Sequence, residues 1–379
     1  MCSPKRDSTI DILKGIGIIL MVIGHAGCPH LLHEYIYTFH MPLFFIASGY
    51  FFTEKNAVNV ITFSWKKIKG IYIPFVACSI VFLLLHNVFF NIGIINDSYG
   101  NRTGEVSYLY SAQEIISRAL HIVFRMDMYE FFLLGAFWFL RALFMSSLIL
   151  CFGTWTLNRI HEAIFSTHNA TTSRSIMLLS LFCLLCGGII KYKNISIPYI
   201  AQGGYREMMG VFFLGAGYFM KQKIDVINRH ANVMVLCACL VSVVLFVIHP
   251  ASLKIKSDYI DWAIIPFSGI AGTYIVYYIS RYWSRYESSK WIAYIGKKSI
   301  WILVLHLLAF KVSELLEITV YDLPIQMIAC HTVIPPLDNW FFVVHTVVAV
   351  SIPMFIAYCI DIVKNACTPN SIILCHDRR

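Results

Sequence analysis

The 379-residue chain contains only 13% Asp, Glu, Lys and Arg, against roughly a quarter in an average globular protein. With 58% hydrophobic residues, it has too few charged side chains to cover a water-soluble particle of this size. This composition excludes an ordinary soluble protein. It predicts an all-α, polytopic integral membrane protein in which residues 1–379 form a single transmembrane domain.

Hydropathy predicts about ten membrane spans, because a span needs about 20 mostly apolar residues. The first apolar stretch contains Asp11 and Lys14 and has no small-residue cleavage site after it, so it is predicted to be a retained helix. The predicted spans are 10–26, 36–52, 71–93, 132–152, 175–190, 206–220, 233–248, 260–279, 299–317 and 340–363.

The 30 Lys and Arg residues gather mainly in the loops of one side of this map. By the positive-inside rule that side is cytoplasmic, so both termini are predicted to be cytoplasmic. The net charge of +9 then faces anionic lipid of the inner leaflet and requires no nucleic-acid partner. We expect a multi-pass protein of the cell inner (plasma) membrane, with the lipid bilayer as its main partner.

The longest predicted loop, 94–131, lies on the non-cytoplasmic side. It contains Tyr99, Tyr108, Tyr110 and Tyr129 among acidic side chains. Such a mixture suits either a carbohydrate or an aromatic belt at the membrane interface. The 12 cysteines lie mostly in spans and are interpreted as packing residues, and no metal site is predicted.

Ionisable residues inside a span are costly and mark candidate functional sites. Lys14 and His25 are eleven residues apart on the first helix, which places them on nearly the same face, about 16 Å apart along the axis. This spacing predicts a cation near the cytoplasmic side and an imidazole toward the opposite side, both facing one interior path. The alternatives are a snorkelling lysine and a histidine that merely bonds to a neighbouring helix.

The second predicted helix returns through Phe39-His40-Met-Pro42 and Ser48-Gly49. Because the connection is short, His40 is predicted to lie close in depth to His25. Pro42 and the Ser48-Gly49 pair are expected to kink the helix or permit close backbone approach.

Further charges occur in later spans. Arg141 follows Trp138 in the fourth span, where few acidic partners are expected and an anionic ligand is a plausible partner. The pairs Arg206–Glu207 and Lys311–Glu314 are interpreted as structural ion pairs. For His306 and His345 the sequence allows either a structural or a functional role.

Taken together, these residues resemble acyltransferase family 3 of integral-membrane acyltransferases, in particular the branch of fucose 4-O-acetylases and related acetyltransferases. The resemblance covers most of the chain in order and is strongest over residues 1–52. It rests on Asp11-Ile-Leu-Lys14-Gly through Gly24-His25, Phe39-His40-Met-Pro-Leu-Phe-Phe-Ile-Ala-Ser48-Gly49-Tyr50, Trp138-Phe-Leu, and Gly296-Lys-Lys-Ser-Ile through Leu305-His306.

The resemblance implies an enzyme that transfers an acyl group, usually acetyl, from cytoplasmic acyl-CoA to a carbohydrate acceptor at the far face. It associates Lys14, where many members carry Arg, with the donor and His25 with catalysis. We therefore expect an O-acetyltransferase that uses acetyl-CoA as acyl donor. The expected donor-binding residues are Lys14, Arg141 and Trp138, and the expected catalytic residues are His25, His40 and Ser48.

The residues alone also allow other functions. Ten spans with interior His, Lys, Glu and Arg describe a proton-coupled transporter or flippase of a sugar or glycolipid as well. Against a transporter, no second-half counterpart of the Lys14–His25 helix is visible. A non-enzymatic membrane assembly factor is a third possibility. The sequence does not choose among acceptors, nor between direct transfer and an acyl-enzyme.

Overall fold

The computed structural model is helical, which confirms the predicted all-α class. A helix satisfies its backbone hydrogen bonds within one segment, and lipid offers no other partners to a spanning backbone. No β-strand occurs among the residues that the structure describes. These are 8–96, 98–99, 108–165, 172–193, 195, 204–253, 258–335 and 340–367, so the predicted cytoplasmic termini lie outside the described residues.

In the first half of the chain, long helices alternate with short ones. One π-helical turn, Ile68–Tyr72, joins α5 to α6, and a 3-10 turn, Gly135–Phe137, leads into α9. Such π-turns are frequent at functional sites. The helices are α1 (Thr9–His25), α2 (His30–Tyr37), α3 (His40–Tyr50), α4 (Glu54–Val58), α5 (Val60–Lys67), α6 (Ile73–Asn91), α7 (Ala112–Arg125), α8 (Phe131–Leu134) and α9 (Trp138–Phe165).

The second half of the chain contains mostly long helices. A 3-10 helix, Ile325–Ala329, lies in the connection that follows α16. The helices are α10 (Thr172–Tyr192), α11 (Tyr205–Gln222), α12 (Ile224–Arg229), α13 (Ala231–Ile248), α14 (Tyr259–Trp283), α15 (Ser289–Lys297), α16 (Ser299–Tyr321) and α17 (Phe341–Cys367).

Each of the ten predicted spans coincides with a helix. Within the described residues, seven helical stretches are long and apolar enough to cross a membrane by length and composition. The multi-pass membrane architecture is therefore confirmed. The seven stretches are Val60–Asn91, Phe131–Ile164, Thr172–Tyr192, Ala231–Ile248, Tyr259–Trp283, Ser299–Tyr321 and Phe341–Lys364.

The other three predicted spans correspond to α1, α3 and α11, which form the interior of the protein. Helices α1 and α3 are short, with 17 and 11 residues, and α11 carries Arg206, Glu207 and Lys221. Most residues of all three helices are buried. By contrast, α13 exposes large apolar side chains such as Leu236 and Val247. The interior helices can carry charge because protein surrounds them, whereas the outer helices face lipid.

Close helix packing fixes the position of α1 and α3. A Cβ at Gly49 would collide with the backbone of Leu214 in α11, which confirms the predicted close approach at this glycine. A Cβ at Gly296 in α15 would collide with the carbonyl oxygen of Asp11 in α1. At both contacts only a hydrogen atom fits between the two backbones, as is typical of membrane helices.

We expect Gly296→Ala to lower the free energy of unfolding by about 1–3 kcal/mol, because the added methyl group must push α1 away from α15. Thermal unfolding in detergent measures the effect. Gly70→Ala is the matched control, since a Cβ at Gly70 meets no atom within 4 Å. An equal loss of unfolding free energy in the two variants would show that crowding at the α1–α15 contact does not cause the destabilisation.

The predicted kink at Pro42 is wrong. Helix α3 begins at His40, so Pro42 lies in its first turn, where a missing N–H costs no helical hydrogen bond. The connection between α1 and α3 is also not a simple loop, because α2 lies within it. Helix α2 adds further side chains to the region between His25 and His40.

The long loop at 94–131 contains α7 and is held to α6 by buried polar contacts. His86 Nδ1 lies 2.6 Å from a Glu130 carboxylate oxygen, and the His86 ring stacks on Tyr110 with 3.6 Å between centroids. Tyr110 and Tyr129 are buried, whereas Tyr99 and Tyr108 are exposed. Two of the four loop tyrosines thus pack inside the protein, and the exposed pair remains available to either predicted role.

Candidate active site

The last residue of α1 contacts the middle of α16 through a pair of imidazoles. His25 Nδ1 lies 2.9 Å from His306 Nε2, and the two rings stack with 5.2 Å between their centroids. His306 is fully buried, whereas His25 is partly accessible. The structure therefore joins the predicted catalytic histidine to a residue whose role the sequence leaves open.

The hydrogen bonds of His306 determine which nitrogen of His25 can act as a base. His306 Nδ1 lies 3.0 Å from the carbonyl oxygens of Ile302 and Leu303, and because a carbonyl only accepts, Nδ1 carries the hydrogen. His306 Nε2 is then an acceptor, so the hydrogen between the rings belongs to His25 Nδ1. His25 Nε2 keeps its lone pair, as a general base requires.

His25 opens onto a cavity of about 580 Å³, called the histidine cavity here. Its wall comes from the C-terminal end of α1, α2, the start of α3, the turn that leads into α9, the start of α11, α16 and the loop after it. The lining residues are Met21, Gly24, His25, His33, Tyr37, His40, Met41, Gly135, Ala136, Trp138, Arg206, Leu253, Leu303, Leu307, His331 and Thr332.

His40 also lines the histidine cavity, so both predicted histidines belong to one site. The Nδ1–H of His40 donates to the carbonyl oxygen of Ile36 at 2.9 Å, which holds the ring in place. Tyr37 packs edge-on against His40, with 4.7 Å between ring centroids, and stacks on His33 at 4.1 Å. These contacts make His40 part of a rigid wall beside His25.

Two residues that sequence reasoning missed lie in the loop after α16. Thr332 Oγ1 donates to the carbonyl oxygen of His25 at 2.6 Å, which ties the loop to the end of α1. Burial, aided by the Lys311 ammonium, lowers the pKa of His331 to about 4. His331 is therefore a neutral imidazole near pH 7 and can accept or donate a hydrogen bond in the cavity.

Arg206 is the one guanidinium among the described residues that line the histidine cavity. It lies over the Trp138 ring, 3.9 Å from the centroid, and is only 5% exposed. Its Nε has no hydrogen-bond partner among the described residues. A buried cation in the same cavity as the base can attract an anion or a developing negative charge.

Few acidic partners are expected for Arg141 at its depth, but the structure provides one. A terminal nitrogen of Arg141 lies 3.6 Å from a Glu207 carboxylate oxygen, so Glu207 pairs with Arg141. The described lining of neither cavity includes Arg141. Trp138, also predicted to bind the donor, lies under Arg206 in the histidine cavity instead.

A second cavity of about 270 Å³, called the lysine cavity here, lies farther toward the start of α1. Lys14 lines it and pairs with Asp11 at 3.0 Å, with 26% of the lysine side chain exposed. The π-helical turn contributes Gly70 and Ile71. The full lining is Lys14, Ile18, Met21, Met41, Phe44, Ala47, Ser48, Phe51, Gly70, Ile71, Phe139, Leu140, Leu143, Ser299, Ile300 and Leu303.

The structure does not bring Ser48 to His25. Ser48 lines the lysine cavity, and its hydroxyl accepts a hydrogen bond from Lys67 Nζ at 3.0 Å. Eight residues of α3 separate Ser48 from His40, which is about 12 Å along a helix. The predicted catalytic role of Ser48 beside His25 is inconsistent with this placement, because the hydroxyl belongs to the other cavity.

Met21, Met41 and Leu303 line both cavities, so the two spaces adjoin at these side chains. Methionine is flexible and adapts its shape. Lys14 and His25, predicted to face one interior path, line two adjoining cavities along α1. A cation at one end of α1 and a base at the other therefore line neighbouring cavities.

Other buried ionisable side chains of α16 and α17, outside the two cavities, bond to one another and to the loop between these helices. Lys311 pairs with Glu314 at 2.9 Å, as predicted, and donates to the carbonyl oxygen of Cys330 at 2.8 Å. His345 lies 2.8 Å from Ser313 Oγ and 3.1 Å from a Glu317 oxygen. These contacts hold α16 to α17 and to the loop between them.

Within the part of the chain that the structure describes, one group of possible metal ligands lies at the start of α14. The ligand atoms of His249, Asp258 and Asp261 are within 4.8 Å of one another. Asp258 accepts a hydrogen bond from the backbone N–H of Asp261, and Asp261 accepts one from that of Ser252. The carboxylates thus form a helix cap, which explains the grouping without an ion.

A family model described as an acyltransferase domain, that of acyltransferase family 3, matches residues 7–358. This range contains both cavities and all of the residues that line them. No curated protein and no solved structure matches the chain.

Proposed function

The chain belongs to acyltransferase family 3, and from this premise we propose that it transfers an acetyl group from acetyl-CoA to a hydroxyl of a cell-surface glycan or its precursor. The family makes it a membrane acyltransferase. The donor, the acceptor and the plasma-membrane location belong to the proposal. One observation carries it: Lys14 and His25 line adjoining cavities along one helix.

The lysine cavity is the proposed donor side. Coenzyme A carries phosphates, and the Lys14 and Lys67 ammonium groups both lie at or beside this cavity. A lysine binds phosphate as a point charge, without the two-pronged geometry of arginine. In the predicted topology this end of α1 faces the cytoplasm, where acyl-CoA is made. The thioester arm then extends past Met21 toward His25.

The histidine cavity is the proposed reaction site. His25 Nε2 takes the proton of the acceptor hydroxyl, and the oxygen attacks the thioester carbonyl carbon to form a tetrahedral oxyanion. The C–S bond then breaks, and the protonated His25 returns its proton to the coenzyme A thiolate. His306 orients His25 by accepting its Nδ1–H, as the third member of a triad does. The Arg206 guanidinium stabilises the oxyanion.

Purified protein incubated with radiolabelled acetyl-CoA and a glycan extract of the producing cell tests this function. We expect label in the glycan fraction from the wild-type chain and none from His25→Ala. A transporter or flippase would move glycan across a vesicle membrane without transferring label. Absence of label transfer by the wild type to any glycan fraction would refute the proposal.

We expect Lys14→Ala to raise the KM for acetyl-CoA about 10- to 100-fold with a small change in kcat, because one charge-assisted phosphate contact is lost. Lys14→Arg should keep the KM, since the cation remains. Initial rates at varied acetyl-CoA concentration measure both constants.

Two controls separate donor binding from a folding defect. Lys14→Ala leaves the buried Asp11 carboxylate without its lysine, so the double variant Asp11→Asn/Lys14→Ala must show the same rise in KM. Lys290→Ala removes an exposed lysine that pairs with Glu287 outside both cavities. It should change neither the KM for acetyl-CoA nor kcat. An unchanged KM in Lys14→Ala would mean that the lysine only snorkels to the interface.

A further inference from the structure

Helices α13 and α14 carry a feature that the acyl-transfer site does not use. On α14, residues 267, 270, 271, 274, 278, 281 and 282 recur at helical spacing and so lie along one face, and residue 285 follows just after the end of the helix. The first four positions line an apolar groove, and the last four line a polar cavity. One face of α14 thus changes from apolar to basic along its length.

The polar cavity has a volume of about 480 Å³ and collects three guanidinium groups, those of Arg229, Arg281 and Arg285. Its described lining contains no Asp or Glu. Tyr278 donates to the Asn232 side chain at 2.9 Å, which braces the wall between α13 and α14. Three arginines without a carboxylate attract an anion, and the guanidinium geometry favours phosphate.

The apolar groove continues along the same helix pair toward the membrane interior. Residues of α3, α11 and α12 and the cationic Lys223 also form part of its wall. Its volume is about 520 Å³, and the lining from α13 and α14 includes Cys237, Val241, Phe267 and Ile270. All four side chains are exposed on the surface of the protein. This surface is surrounded by lipid in a chain of this class, so an acyl chain is the natural occupant of the groove.

We propose that this basic cavity and groove form a binding site for an anionic phospholipid. The headgroup phosphate binds Arg229, Arg281 and Arg285, and an acyl chain lies in the groove between α13 and α14. Tyr278 and Tyr282 also line the cavity, and tyrosine is a common residue at the level of lipid headgroups. By the predicted topology the three arginines are cytoplasmic, which places the lipid in the inner leaflet. Charge complementarity selects an anionic headgroup over a zwitterionic one.

Thermal unfolding of the full chain in detergent tests the proposal with phosphatidylglycerol and phosphatidylcholine of identical acyl chains. We expect phosphatidylglycerol to raise the midpoint by about 3 °C or more and phosphatidylcholine to have a much smaller effect. In Arg281→Gln/Arg285→Gln the affinity for phosphatidylglycerol should fall about 20- to 30-fold, at roughly fivefold per lost basic contact. Arg159→Gln is the matched control, because it removes an exposed arginine of the same predicted face that pairs with Glu162.

A second variant tests the groove. Val241→Trp fills the space between α13 and α14 and should weaken the binding of phosphatidylglycerol. The same variant should bind glycerol 3-phosphate, a headgroup without acyl chains, as tightly as the wild type does. Equal stabilisation by phosphatidylcholine, or an unchanged affinity in the double arginine variant, would overturn the proposal. So would an arginine-dependent shift with coenzyme A or inorganic phosphate and none with lipid, since the cavity would then bind a soluble phosphoester.

Discussion

Replacing His306 by Leu is expected to lower kcat about 100-fold or more and to leave the KM for acetyl-CoA unchanged. The substitution removes His306 Nε2, which accepts the hydrogen of His25 Nδ1. The two nitrogens lie 2.9 Å apart in the native protein. Without this acceptor the His25 ring can turn and present either nitrogen to the cavity, and the imidazolium formed during proton transfer loses a stabilising contact. Initial-rate measurements with labelled acetyl-CoA separate the two constants.

His306→Gln distinguishes positioning from simple packing. A glutamine side chain can place a carbonyl oxygen near the position of His306 Nε2 and accept the same hydrogen bond. We expect it to recover a substantial part of the activity that His306→Leu loses. If both variants lose activity equally, the hydrogen bond between the two rings does not contribute to the reaction.

His345→Gln is the matched control for these variants. His345 is a buried histidine like His306 and lies on the neighbouring helix, but it contacts Ser313 and Glu317 and is absent from the described lining of both cavities. Its substitution should lower stability without lowering kcat in the folded fraction. A loss of kcat equal to that of His306→Leu would show that any buried histidine of this bundle has the same effect.

The part of the site that lies on one helix could be predicted from the sequence. The spacing of Lys14 and His25 predicts a common face, and the structure shows Lys14 and His25 along adjoining cavities with Met21 between them. The same reasoning applied to α3 would separate Ser48 from His40, because eight residues of helix span about 12 Å. Helix geometry was therefore sufficient for Lys14 and His25 on α1, and on α3 it argues against grouping Ser48 with His40.

The contacts between helices could not be predicted. Glu207 is sixty-six residues from its partner Arg141, and only the packing of α9 against α11 brings them together. The predicted ion pair between the adjacent residues Arg206 and Glu207 is wrong, because neighbours on a helix point in different directions. The result is that Glu207 pairs with Arg141 while Arg206 faces the histidine cavity.

Arg206→Gln is expected to lower kcat about 100- to 1,000-fold with little effect on the KM for acetyl-CoA, as removal of an oxyanion donor does. The guanidinium is 5% exposed, lies over Trp138 and lines the cavity of His25. A positive charge there is most valuable when the carbonyl oxygen becomes negative, since little water screens the interaction. Arg206→Lys keeps the charge and should retain more activity than Gln.

Arg141 provides the matched control, because it pairs with Glu207 and lies outside the described cavity linings. Arg141→Gln alone would leave a buried carboxylate unpaired, at a cost of about 3–5 kcal/mol. The double variant Arg141→Gln/Glu207→Gln removes both charges and should fold and retain most of kcat. If it loses as much kcat as Arg206→Gln, the effect comes from the fold of α9 and α11. If Arg206→Gln raises the KM for the glycan at unchanged kcat, Arg206 binds the acceptor and does not stabilise the oxyanion.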